Sequence, residues 1–136
     1  MDTKIVNVSE FLRSNGIKPS FQRMKIFEYL MNTTEHPTVD VIYKSLIHEI
    51  PTLSKTTVYN TLNLFVQNNV ALLITIEDNE TRYDANTSLH GHFKCEKCER
   101  VLDFKAEISD LVIKELDKFQ INQQHIYFKG ICSGCL

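Results

Sequence analysis

All four cysteines of the chain fall into two Cys-x-x-Cys pairs, Cys95 with Cys98 and Cys132 with Cys135. Each pair makes a tight turn that aims two thiolates at one point. Two such turns supply the tetrahedral sulfur set that suits zinc. Four thiolates leave no open coordination position, so the expected role is structural rather than catalytic. The other readings of these residues are a redox dithiol and small buried side chains. A second group offers imidazole and carboxylate. His90 and His92 are two apart, so an extended backbone projects both from one face. Asp103 falls in the next expected strand, within reach of that face. Asp84 stands at a connector, and His36 precedes Pro37 in a loop. Such nitrogen and oxygen donors suit divalent iron or manganese, with zinc as a competitor. Taken singly, a hinge Asp is ordinarily a turn or cap residue, and a lone loop histidine is rarely a ligand. His48 and His125 carry no ligand pattern; His48 lies late in a helix, where a cation suits the C-terminus.

These residues need elements to position them. The 136 residues are 43% apolar and 24% charged, as in an ordinary globular chain, with net charge −2. That balance excludes a nonspecific nucleic-acid coat, which would be strongly basic. It leaves room for a specific DNA binder with cations on one small face. No window suggests a signal peptide or a membrane span, so the expected compartment is cytoplasmic. Reduced cysteines there favour a metal over a disulfide framework.

The cysteines all lie in the second half, and the connector Asp84-Ala-Asn-Thr-Ser88 marks a boundary. We therefore expect an α+β fold with a winged helix-turn-helix domain over residues 1–84 and an α+β domain over 85–136. The first half reads as four helices and a hairpin. A short helix over residues 8–14 is stopped by Gly16. Ser20, Thr38 and Ser54 cap three more, the third running to about residue 49 before Pro51 and the fourth to about residue 68. Extended runs over 71–77 and 81–84 flank the Asp78-Asn79 turn. The fourth helix would be the recognition helix. Its first turns carry Lys55, Thr56, Thr57, Tyr59 and Asn60, and Arg23 near the start of the second helix would join Lys55 on phosphate. The plain alternative for Thr56 and Thr57 is helix capping. The second half reads strand, strand, helix (108–119), strand (126–131). Such a unit of about fifty residues is marginal without a metal or a partner subunit.

Several of these segments together resemble one family. The run His90-Gly-His-Phe-Lys-Cys-Glu-Lys-Cys-Glu-Arg-Val-Leu-Asp-Phe104 is similar to the core signature of the ferric uptake regulator (Fur) family. So are Gly16 followed by Phe21-Gln-Arg23, Ser54-Lys-Thr-Thr-Val-Tyr-Asn-Thr-Leu62, and the final Cys132-Ser-Gly-Cys135. The resemblance spans roughly residues 9–136. It implies a homodimer on double-stranded operator DNA, with a central dimerisation domain, structural zinc on Cys95, Cys98, Cys132 and Cys135, and no organic cofactor or membrane partner. It also implies that His36, Asp84, His90, His92 and Asp103 form one regulatory iron or manganese site. Spacing alone does not join His36 to the rest.

Three positions resemble the peroxide-responsive regulator (PerR) branch: Asp84 after Arg82-Tyr83, Asp103, and Asn60 after Val58-Tyr59. Leu89 and Gly91 stand where many iron-sensing members carry further ligands, and Gln124 falls near another, which argues against a second regulatory site. The implied mechanism is metal-dependent repression that peroxide ends. Reaction at an open position on ferrous iron oxidises an imidazole near His36 or His90, and the repressor leaves its operator. Such a protein is a sensor consumed by its signal, not an enzyme. The rival readings are an iron- or zinc-sensing repressor of metal uptake genes, a metalloenzyme, for which no nucleophile or base motif is present, and a redox chaperone using the Cys-x-x-Cys pairs.

Overall fold

The computed structural model of the chain describes residues 7–76, 80–87, 90–105, 113–121 and 124–136. It divides into two compact units, Met1–Thr87 and Ser88–Leu136.

In the first unit the helices begin where a short polar side chain takes up a free backbone N–H. Asn7 caps α1 (Val8–Ser14), Ser20 caps α2 (Phe21–Met31), Thr38 caps α3 (Val39–Leu46) and Ser54 caps α4 (Lys55–Gln67). The Ser20, Thr38 and Ser54 side chains accept from the N–H groups of Arg23, Val41 and Thr57. Gly16 ends α1 at φ +80°, a conformation that costs glycine little. Its N–H reaches Arg13 and that of Ile17 reaches Leu12, closing the helix end. The third helix stops at Leu46, ahead of the expected residue 49, and its last residues unwind through turns before Pro51. The apolar faces of the helices meet in one core. Leu12, Phe27, Ile42, Val58, Leu62, Phe65 and Tyr83 are all buried there, with Phe27 edge-on to Phe65 at 5.5 Å between ring centroids. β1 (Leu72–Ile74) and β2 (Arg82–Asp84) pair antiparallel, Leu72 opposite Asp84, as the wing. The expected Asp78-Asn79 turn lies outside the described residues.

The second unit is a three-stranded sheet of order β4-β3-β5, formed by β3 (His90–Cys95), β4 (Val101–Lys105) and β5 (Tyr127–Gly130). β3 is central, antiparallel to β4 and parallel to β5. Residues 108–112 of the helix expected over residues 108–119 lie outside the described residues. Its C-terminal part is a single 3₁₀ turn, Lys114–Leu116, and Lys118 sits at φ +66°, which a continuing helix does not permit. Among the described hydrophobic residues of this unit only Cys95 and Val101 are buried.

Candidate functional site

The Cys-x-x-Cys turn between β3 and β4 and the C-terminal 3₁₀ turn (Ser133–Cys135) bring the four cysteines to one place. All four sulfurs lie within 4.8 Å of one another. Cys95 Sγ is buried and accepts from the backbone N–H of Cys98 and of Cys132, each at 3.4 Å. Those two donors pull its thiol down to about 5, so the thiolate is the favoured form. Cys135 is pushed up to about 12, chiefly by its hydrogen bond with Cys132 and then by burial. Four thiols with one already a thiolate is a donor set in want of a cation. The geometry fits zinc: bonds of about 2.3 Å in a tetrahedron place sulfurs about 3.8 Å apart, and Cys98 Sγ stands 3.8 Å from Cys132 Sγ.

Each unit also holds an imidazole against a carboxylate. In the first unit His36 is buried, and its Nε2 lies 3.4 Å from Asp84 Oδ2. His36 occupies the left-handed region at φ +52°, one that His tolerates better than bulkier or β-branched residues. Strand β2 secures this loop: the Tyr83 N–H donates to Pro37, and Arg82 Nη1 donates to the carbonyls of Glu35 and His36. Arg82 was not among the residues singled out from sequence; its position two before Asp84 was the available signal. In the second unit His92 is opposite Asp103 in the β3–β4 register, so both side chains leave the same face of the sheet. His92 Nε2 lies 3.2 Å from Asp103 Oδ1. Two donors about 2.1 Å from one ion stand about 3.0–3.6 Å apart at angles of 90–120°. Both couples fit that spacing and could hold a metal. His90 opens β3, opposite Lys105.

Gly91 faces Phe104 in the same register, and a Cβ there would run into the Phe104 ring, which itself stacks on Phe128 at 5.5 Å. A side chain at position 91 would require the Phe104 ring to move. His125, unpartnered in the sequence reading, meets Tyr127, whose Oη lies 3.3 Å from Nδ1. Tyr127 neighbours His92 across the parallel pair, with ring centroids 5.9 Å apart. The parallel register of β5 on β3, which no local pattern reveals, creates the contact of Tyr127 with His92.

On α4, Lys55, Thr56, Tyr59 and Asn60 are exposed, and Thr57 is half-buried beside the Ser54 hydroxyl at 2.8 Å. Thr57 and Asn60 share a groove of about 480 Å³ with Lys18 and Arg23. Arg23 Nη1 donates to the Lys18 carbonyl at 2.8 Å. Lys55 Nζ lies 2.7 Å from Asp40. No described helix is long and apolar enough to cross a membrane.

The sequence profile described as the ferric uptake regulator family matches residues 14–129. The chain is 35% identical to the peroxide operon regulator of Bacillus subtilis over 130 residues, covering 93% of this chain and 89% of that protein. A solved structure of PerR from Streptococcus pyogenes, described as the basis for peroxide sensing and gene regulation, is 27% identical with a TM-score of 0.55, covering 100% of this chain and 98% of that one. The ferric uptake regulator of Vibrio cholerae is 25% identical with a TM-score of 0.72, covering 93% of this chain and 100% of that one.

Proposed function

The chain belongs to the ferric uptake regulator family, and on that premise we propose that it is a metal-dependent repressor that senses peroxide and leaves its operator when a histidine ligand is oxidised. Regulators of this family are dimeric and bind DNA, and they are not enzymes. The observation that carries the reading is the pair of His–carboxylate couples, His36–Asp84 and His92–Asp103, one in each unit. We read them as two halves of one regulatory site, completed by His90. Their imidazole and carboxylate donors suit ferrous iron or manganese, while Cys95, Cys98, Cys132 and Cys135 hold structural zinc. Ferrous iron supplies one-electron chemistry with hydrogen peroxide beside the imidazoles. His36, His90 and His92 each ligate through a ring nitrogen lone pair, and a ring that has gained oxygen loses that capacity. The donors of one unit are then no longer tied to those of the other, and the arrangement that presents α4 to DNA is no longer favoured.

In this reading residues 1–84 are the winged-helix DNA-binding domain and residues 85–136 the metal-binding dimerisation domain. Helix α4 enters the major groove with Thr56, Thr57, Tyr59 and Asn60 at bases and phosphates, and Arg23 and Lys55 serve phosphate. The protein acts in the cytoplasm, where the thiolates stay reduced. The test compares ferrous-loaded and manganese-loaded protein on a duplex that the protein itself selects from a random pool. Equal peroxide should release only the ferrous form. Release of both, or of neither, would sink the proposal.

A further inference from the structure

We propose that Asp40 is a charge mask at the DNA-facing end of α4: it holds Lys55 and Lys44 in local ion pairs, so that Lys55 reaches phosphate only by giving up its pair with Asp40, and sequence-independent attraction to phosphate is reduced. The inference rests on the reading that α4 meets DNA.

One carboxylate serves both cations. Asp40 Oδ1 lies 2.7 Å from Lys55 Nζ, and Oδ2 lies 2.9 Å from Lys44 Nζ. Lys55 is the first residue of α4, and its ammonium also sits over the Tyr43 ring, 5.6 Å from the centroid. A cation is disfavoured at a helix N-terminus by the helix dipole. Asp40 offsets that, and the pairing holds the Asp40 carboxyl below its usual range, through Lys55 first and Lys44 second. Lys55 opens the helix that carries the exposed Thr56, Tyr59 and Asn60, and Asp40 shares a groove with Tyr59. Residues 1–87 carry more carboxylates than Lys and Arg. Discrimination between sequences requires that phosphate attraction, common to every duplex, be kept small relative to base contacts. A carboxylate anchored on α3, one helix away from the reading residues, lowers that common attraction without occupying a base-reading position.

The test uses the full-length manganese-loaded protein, a scrambled duplex, and a duplex selected from a random pool by the unaltered protein. Anisotropy is read across a salt titration, and thermal melts establish that each variant is folded. Asp40→Asn should bind the scrambled duplex more tightly, roughly eightfold near 0.1 M salt for each added phosphate contact, with a salt slope steeper by about 0.9 per contact. The preference for the selected duplex should fall. Asp40→Ser, which puts a neutral hydroxyl in place of the carboxylate, should repeat the gain. Adding Lys55→Gln to Asp40→Asn should bring the slope back toward that of the unaltered protein. A gain that persists in the double variant would mean that Asp40 acts only through its own repulsion, and the masking of Lys55 would be wrong. Scrambled-duplex binding that is unchanged or weaker in Asp40→Asn overturns the proposal. If Tyr59→Ala meanwhile loses selected-duplex affinity, α4 remains the DNA-reading helix and only the mask falls. If neither variant alters DNA binding, the placement of α4 falls as well.

Discussion

Replacing Cys132 with Ser removes one of four sulfurs and should unfold the second unit. The magnitude follows from what else holds that unit together. Among its described hydrophobic residues, only Cys95 and Val101 are buried. Burying Val101 is worth about 2 kcal/mol, while forming a structural zinc site contributes on the order of 10 kcal/mol in small domains. The metal term is therefore several times the described apolar term. It is also comparable to the typical net stability of a whole domain, about 5–15 kcal/mol. Cys132 joins the C-terminal turn to the β3–β4 turn twice, through its sulfur 3.8 Å from Cys98 Sγ and its N–H on Cys95 Sγ. The assay combines zinc content by elemental analysis, size-exclusion chromatography and hydrogen exchange resolved by unit. The Ser variant should bind little zinc, run without the dimer peak and lose protection across β3, β4 and β5, while α1 to α4 stay protected. A zinc-free variant that remains a protected dimer would refute the reasoning, because apolar packing would then suffice.

Three further outcomes are expected. Asp103→Glu keeps the charge opposite His92 but lengthens the arm, so manganese-activated DNA binding should persist while peroxide-driven release slows at least tenfold, read by anisotropy with ferrous-loaded protein. Gly91→Ala drives a methyl group into the Phe104 ring, so it should destabilise the second unit by about 1–3 kcal/mol, read by denaturant unfolding, and lower manganese affinity by shifting β4 under Asp103. Arg82→Ala deletes the hydrogen bonds that hold the His36 loop, so manganese affinity should fall about 10–100-fold, read by titration calorimetry, with little change in melting temperature.

What was legible in the sequence was what local chemistry dictates. Asn, Ser and Thr before an apolar period mark helix starts, and Ser20, Thr38 and Ser54 each cap the helix assigned to them. The paired cysteines announce their own convergence, because each turn fixes two sulfurs. Strand register was less legible. That His92 stands opposite Asp103 could be guessed from the length of the intervening turn, but the parallel placement of β5 could not, and with it goes the Tyr127 contact to His92. Contacts between separate helices were equally hidden. Nothing local to Lys55 says that Asp40, fifteen positions earlier, takes its charge. Joining His36 to the other metal donors needed the family resemblance, since a loop histidine before proline carries no signal of its own.

The central claim is that an imidazole ligand, rather than a thiol, records the peroxide. Peptide mapping by mass spectrometry of the ferrous-loaded protein after brief peroxide treatment tests it most directly. The account predicts one added oxygen on a peptide containing His36 or His90, absent from manganese-loaded protein, with Cys95, Cys98, Cys132 and Cys135 unmodified and zinc retained. Oxidised cysteines with zinc released, and histidine peptides unchanged, would contradict it.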